Sequence, residues 1–301
     1  MHLTRRDFHL TAAAAAVPAK PFRFRYLVAT CLYGGMRFEE IAAQARLTGA
    51  AALDVWSSHA EPVPQRDMID SMGRGPFRAL LASQGIRLAV LTHFKLGPFG
   101  LDEEMSVARD LGGPGAILVA GSRWPGPRVP PGDPAAHRQS VKIFADRLRP
   151  HVEKAEKLGV VIAIENHSGQ LLFTPDSIRW LVEFIPSAAL GIALSPYHLD
   201  QDPAMLARLM EDLGSRMVLL YAWQHGKGSV HAMPKEDELQ QLPGRGPLDF
   251  CLMVQALKKT AYAGWTEIFM HPFPRGVPIL PSAGEVTAEI NRSRRYLEEL
   301  L

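Results

Sequence analysis

Eight short apolar runs, each followed by an amphipathic segment, constrain the fold of this chain more than any other feature. Such a run is typical of a strand buried on both faces, and the segment after it is typical of a helix. Eight strand–helix units are the pattern of a (β/α)8 TIM barrel in the α/β class. A doubly wound sheet is the alternative, but it does not account for eight units. The predicted strands are residues 26–31, 51–56, 86–92, 116–120, 160–164, 190–194, 217–223 and 265–269.

The composition is compatible with one barrel domain at residues 24–301. The chain has 301 residues, of which 47% are hydrophobic, enough for a single large core. Cys31 and Cys251 lie far apart in apolar contexts, so we expect packed thiols and no disulfide. The net charge of +2 comes from scattered residues and gives no indication of a nucleic-acid partner. A homo-oligomer is compatible with the sequence, which does not determine the oligomeric state.

Residues 1–23 are predicted to form an export signal and a linker. Arg5 and Arg6 form a twin-arginine pattern, followed by an apolar run at 10–17 and small residues before Lys20. The run is too short to cross a bilayer, so we expect no membrane span. An irregular amphipathic start of the domain is the alternative. The twin-arginine pattern favours export to the periplasm as a folded protein.

Polar side chains cluster where the predicted strands end, whereas the strand starts carry few of them. The clearest case is 160–168, in which five apolar residues lead into Glu165, Asn166 and His167. A buried glutamate is costly unless it is paired or binds something, and a strand-end salt bridge is the alternative to a functional role. The carboxyl ends of barrel strands meet at one face, where active sites lie. The candidate substrate-binding residues are Asp54, Trp56, His93, His167, Tyr221, Trp223, Arg245 and His271.

Aromatic side chains at these strand ends favour a small-molecule carbohydrate as the partner, because flat apolar rings can stack on the C–H faces of sugars. Ordinary core packing is the alternative. Arg245, between two glycines, is a candidate contact for a hydroxyl-rich or anionic ligand, and a solvated loop arginine is the alternative. The aromatic residues concerned are Trp56, Trp124, Tyr197, Tyr221 and Trp223.

Four segments carry a family resemblance: Ile-Glu-Asn-His at 164–167, Ser-Pro-Tyr-His-Leu at 195–199, Leu-Pro-Gly-Arg-Gly-Pro-Leu-Asp-Phe at 242–250 and Ala-Tyr-Ala-Gly-Trp-Thr-Glu-Ile at 261–268. The sequence resembles the xylose-isomerase-like sugar isomerases and epimerases, whose barrels also include endonuclease IV relatives. The resemblance covers most of the chain after residue 24. It implies a divalent metal held by Glu, Asp, His and Glu from strands five to eight. It also implies that the two glutamates move a proton at a carbon next to a carbonyl.

Two residues match this pattern, and the other positions depart from it. Glu165 matches the first ligand, and His198 matches the histidine of the family's Asp-x-x-His. Glu267 lies two residues before the family's last glutamate position and therefore projects to the same side of the strand. The departures are Ser195 for the aspartate, Tyr221 for the seventh-strand histidine, Gln224 for an aspartate that often follows it, and Phe269 for the last glutamate.

These departures leave three outcomes open. A rebuilt site could use Glu165, His198, His225 and Glu267, a mixed nitrogen and oxygen set that suits Mn, Zn, Fe or Co. The barrel could instead work without a metal, with Glu165 and Glu267 as base and acid tuned by burial. It could also have lost catalysis and kept sugar binding.

The function that the resemblance favours is isomerisation or epimerisation of a sugar or keto-sugar by proton abstraction next to a carbonyl. A 3-keto-glycoside lyase would use the same enolisation and add a leaving group. A non-catalytic periplasmic sugar-binding barrel is the alternative from outside the enzymes.

Overall fold

The computed structural model describes residues 21–57, 65–123, 125–126, 132–229 and 233–301. Its eight strands form a closed barrel in chain order, and all neighbouring strands, including β1 and β8, are parallel. The predicted (β/α)8 fold is therefore confirmed. Residues 1–20 of the predicted export segment lie outside the described residues. The strands are β1 Tyr26–Ala29, β2 Ala52–Trp56, β3 Arg87–Thr92, β4 Ile117–Gly121, β5 Val161–Glu165, β6 Leu190–Leu194, β7 Met217–Ala222 and β8 Trp265–Ile268.

The α-helices of the described ranges surround this barrel. None of them is long and apolar enough to span a membrane. They are α1 Phe38–Leu47, α2 Gln65–Met72, α3 Arg74–Ser83, α4 Asp102–Gly112, α5 Pro134–Leu158, α6 Pro175–Phe184, α7 Pro203–Leu213, α8 Cys251–Lys259 and α9 Ala283–Glu299. Short 3-10 helices span Thr30–Tyr33, Pro196–His198, Gly214–Arg216 and Lys235–Gln241.

Local sequence signals explain where several helices begin and end. The Asp133 side chain accepts the backbone N–H of Ala136 at 2.9 Å ahead of α5, and Ser282 and Glu285 form a capping box at the start of α9. Both contacts satisfy N–H groups that a helix start leaves without a partner. Helix α5 ends at Gly159, whose φ of +66° is the left-handed conformation that glycine adopts easily.

The strands are buried, as their apolar runs predict. Every residue of β2, β4 and β6 is buried between the barrel interior and the helices. The first strand is shorter than predicted, because 30–33 form a 3-10 helix. Thr30 Oγ1 accepts the backbone N–H of Trp56 at 3.1 Å, which directs the chain away from the sheet. No disulfide joins Cys31 and Cys251, in agreement with the prediction.

Candidate active site

A pocket of about 220 Å³ lies at the carboxyl ends of the strands. Trp56, Thr92 and Glu165 are the last residues of β2, β3 and β5, so strand ends form its inner wall. Loops that follow the strands form the rest. This is the face at which barrel enzymes place their chemistry. The lining residues are Trp56, Ser57, Thr92, Phe94, Lys95, Glu165, His167, His198, His271 and Arg275.

Glu165 places a buried carboxyl group at the inner end of this pocket. The residue is 2% exposed, and its Oε1 lies 3.9 Å from Nε2 of His198. Burial raises the pKa of Glu165 well above its usual value. The charge of Asp54 also raises this pKa, whereas the hydroxyls of Ser195 and Tyr221 lower it. The carboxyl group therefore keeps its proton at pH values at which an exposed glutamate is ionised.

Neutral histidine rings stand beside Glu165. His198 and His167 stack with ring centroids 3.8 Å apart. Burial lowers the pKa of His198 to about 2, and the charges of His167 and Arg275 act in the same direction. Burial also lowers the pKa of His167. His198 Nδ1 lies 2.9 Å from the Ser229 hydroxyl. Nδ1 of His167 donates to the Ser168 carbonyl at 2.6 Å, because a carbonyl oxygen can only accept, so Nε2 of His167 is the accepting nitrogen.

A second layer of polar groups lies below the pocket. Asp54 and Glu267 are both 0% exposed, and Thr92 Oγ1 lies 2.9 and 2.7 Å from the two oxygens of Asp54. Burial raises the pKa of Asp54 to about 7. Burial also raises the pKa of Glu267, and the charges of Asp54 and Glu165 raise it further. Tyr221 is opposite Glu267 in the β7–β8 register. Of the two carboxyl groups predicted to share one pocket, Glu165 lines it and Glu267 does not, although the charge of Glu165 acts on Glu267.

Phe269 explains why Glu267 does not line the pocket. It lies two residues beyond Glu267 and so faces the same side, one level nearer the mouth. Its ring stacks on Trp56 with centroids 5.2 Å apart and contacts Tyr221 and His271 at 5.0 and 4.8 Å. Phe269 is 1% exposed. Because this apolar ring occupies the upper level, Glu267 does not line the pocket, and its part in proton transfer stays a prediction.

The predicted metal ligands do not form a coordination sphere. Within the part of the chain that the structure describes, no group of three or more His, Cys, Asp or Glu side chains is placed to hold a metal ion. His198 and Glu165 lie 3.9 Å apart, His225 packs beside Tyr197 with ring centroids 6.4 Å apart, and Glu267 lies one level lower. Divalent metals need several nitrogen or oxygen ligands at about 2.0–2.6 Å. The described side chains therefore do not fit the metal that the resemblance implies.

Three predicted substrate contacts have structural partners outside the pocket. Nε2 of His93 lies 3.1 Å from Glu104 on α4, and Glu104 also accepts two hydrogen bonds from Arg66. Nε and Nη2 of Arg245 donate to the Glu289 carboxylate on α9 at 2.5 and 2.7 Å. These contacts direct His93 and Arg245 toward helices rather than toward the pocket.

Trp223 is the third predicted substrate contact that does not line the pocket. Its Nε1 donates to Gln241 at 2.9 Å, and its ring stacks on Tyr197 with centroids 4.2 Å apart. Asp54 and Tyr221 lie in the level below the pocket. Of the eight predicted substrate contacts, Trp56, His167 and His271 line the pocket itself.

An aromatic wall faces Glu165 across the pocket. Trp56 stacks between Phe94 and Phe269, with centroid distances of 6.0 and 5.2 Å. A Cβ on Gly121 would lie 2.9 Å from the Phe94 ring, so glycine at the end of β4 leaves room for this wall. Trp56 and Phe269 are buried in this wall and Phe94 is half-buried, so stacking of a sugar on Trp56 stays a prediction. Trp124 lies outside the described residues.

Sequence reasoning missed several lining residues. Ser57, Phe94 and Lys95 follow predicted strand ends directly, and this position was the signal that could have identified them. Arg275 lies farther along the loop after β8 and carries no such signal. Its Nη1 donates to Nε2 of His271 at 3.1 Å, which places it at the pocket.

Solved structures with the same fold include several sugar epimerases. A D-psicose 3-epimerase from Clostridium cellulolyticum is 14% identical with a TM-score of 0.65, and the match covers 92% of this chain and 99% of that one. A 3-keto-D-glucoside 4-epimerase from E. coli is 14% identical with a TM-score of 0.66, covering 92% and 100%. The IolI protein, whose structure holds a zinc atom, is 13% identical with a TM-score of 0.72, covering 92% and 99%. At these identities the likeness shows the fold alone.

The family assignment comes from the sequence. A search of curated proteins finds no match for this chain. The sequence model of the xylose isomerase-like TIM barrel family matches residues 42–296, which include β2 to β8 and every residue that lines the pocket. The chain therefore belongs to the xylose isomerase-like TIM barrel family.

Proposed function

We propose that the protein is a sugar or keto-sugar isomerase or epimerase in which Glu165 removes a proton from the carbon next to a carbonyl. The observation that carries this proposal is the buried Glu165 carboxyl group, which opens into a pocket between neutral histidines and an aromatic wall. Two proteins of the same fold, a D-psicose 3-epimerase and a 3-keto-D-glucoside 4-epimerase, act on keto-sugars and support this choice.

The raised pKa of Glu165 suits this role. A general base transfers protons most efficiently when its pKa lies near the working pH, because it is then both ionised and basic. Burial moves the pKa of Glu165 in this direction. The rings of His167 and His198 are neutral, so each can hydrogen-bond a sugar hydroxyl without adding a charge to the pocket. Phe94, a half-buried ring that lines the pocket, offers an apolar surface for the sugar C–H groups.

Deuterium exchange tests the proposed function directly. The protein is incubated in D2O with ketoses and with 3-keto-glycosides, and the products are followed by NMR. We expect deuterium at the carbon next to the carbonyl and a new isomer or epimer of at least one substrate. Loss of a leaving group in place of isomer formation would show a lyase. Binding of the sugars without any exchange would contradict the proposal and indicate a binding protein.

We also propose that residues 1–23 direct export to the periplasm, on the basis of Arg5 and Arg6. Twin-arginine signals need both guanidinium groups, so R5K combined with R6K should retain the precursor in the cytoplasm. Fractionation followed by immunoblotting measures this. The matched control R37K changes an exposed arginine outside residues 1–23 and should leave export unchanged. Equal periplasmic yield of the double variant and the wild type would contradict the proposal.

A further inference from the structure

Enolisation of a carbonyl compound places negative charge on the carbonyl oxygen, and an enzyme must stabilise that charge. In many enzymes a metal ion or fixed hydrogen-bond donors do so. The described side chains do not fit a metal here. Stabilisation of the negative charge therefore falls to the hydrogen-bond donors that line the pocket. Among the lining residues, two carry a permanent positive charge, Lys95 and Arg275.

Arg275 is exposed and lines the pocket, where His271 holds its side chain. Its Nη1 donates to Nε2 of His271 at 3.1 Å. The His271 ring in turn packs edge-on against Trp56, Trp223 and Phe269, with centroid distances of 5.5, 5.2 and 4.8 Å. A guanidinium group carries five N–H donors in a planar fork, so it can bond a histidine and a ligand oxygen at the same time.

The positive charge of Arg275 also affects the pKa of Glu165, the proposed base. It is one of the causes that lower the pKa of Glu165, and it lowers the pKa of His167 and His198 as well. A positive charge that acts on all three groups lies where it can also act on a substrate held between them. Lys95 follows Phe94, whose ring stacks on Trp56, and it is exposed like Arg275, but its charge is not among the causes that shift the pKa values of these three groups.

We propose that Arg275 is a catalytic residue that stabilises the enolate oxygen, a role that rests on the proposed isomerase or epimerase function. The Glu165 carboxylate takes the proton as the C–H bond breaks. The electron pair of that bond forms the C=C bond, and the carbonyl π pair moves to the oxygen. The Arg275 guanidinium donates a hydrogen bond to this oxygen and keeps its own protons. Glu165 then delivers the proton to the former carbonyl carbon, and the hydroxyl proton of the deprotonated carbon passes to the enolate oxygen. This forms the new carbonyl of the isomer and regenerates the carboxylate.

Three variants at one position test this assignment in the full-length protein. R275Q keeps a planar donor without the charge, R275K keeps the charge without the fork, and R275A leaves space for an added guanidinium ion. We expect R275Q to lower kcat on the order of 10²–10³-fold with a small change in KM, as for loss of an oxyanion donor. Guanidinium ion should restore part of the kcat of R275A and none of that of E165Q. The control R138Q, on the exposed surface of α5, should keep wild-type kinetics.

The outcomes separate this inference from the proposed function. Exchange by R275Q at the wild-type kcat would overturn the role of Arg275 and leave the function in place. A rise in KM alone would assign Arg275 to substrate binding and also overturn the role. An equal loss of kcat in K95M would show that the pocket needs positive charge in general rather than Arg275. Absence of exchange in the wild type would overturn both proposals.

Discussion

Replacing Glu165 by glutamine lowers kcat by about 10²–10⁴-fold, the contribution that a positioned general base makes to proton transfer. The amide keeps the shape of the side chain but cannot accept the proton. We expect the fold to remain intact, because glutamine has the same shape and burial raises the pKa of Glu165, so the site already favours an uncharged group there. Exchange of the substrate C–H in D2O and the melting temperature measure the two effects separately.

The pH profile adds a second readout for Glu165. A base must be ionised to act, so kcat/KM falls as pH is lowered through its pKa. Because burial raises the pKa of Glu165, this acidic limb should lie above 4.5, the ordinary glutamate value. The residual activity of E165Q should lack the limb. The control E183Q, on the exposed face of α6, should keep both kcat and the limb. A wild-type rate in E165Q would contradict the mechanism.

Replacing Phe269 by alanine destabilises the protein by about 3–5 kcal/mol, the usual cost of removing a fully buried aromatic ring. Phe269 is 1% exposed, and its ring contacts Trp56, Tyr221 and Trp223 with centroids 4.9 to 5.2 Å apart. The cavity that remains lies between the pocket and Glu267. Urea unfolding of the variant and the wild type gives the difference in the free energy of unfolding.

A methionine at the same position is the matched control. F269M keeps much of the apolar volume and should cost clearly less than F269A. A change in the free energy of unfolding of less than about 1 kcal/mol is typical of ordinary substitutions. If F269A gives so small a change, the Phe269 ring does not fill the space between the pocket and Glu267. The absence of Glu267 from the pocket lining would then need another explanation.

Much of the fold and part of the site could be predicted from the sequence. The apolar runs at 160–164 and 190–194 gave strands within one residue of β5 and β6, because a buried parallel strand must be apolar on both faces. The position of Glu165 and His167 just after such a run placed them at the pocket, since the carboxyl ends of barrel strands converge. These features depend on a few neighbouring residues only.

The depth and direction of individual side chains could not be predicted. His93 and Arg275 show the limit: His93 ends a predicted strand but faces Glu104 on α4, whereas Arg275 lies far along a loop but reaches His271. Glu267 was predicted to share the pocket with Glu165, but only Glu165 lines it, and Glu267 lies opposite Tyr221 in the β7–β8 register.

The barrel, its family and several strand ends that line the pocket could thus be inferred from the amino-acid sequence. Only the tertiary structure decided which side chains share the pocket, because barrel closure sets the tilt and register of all eight strands together. That register fixes the level at which each inward side chain lies. It leaves Asp54 and Glu267 outside the pocket lining that includes Glu165, and no local pattern in the chain contains this information.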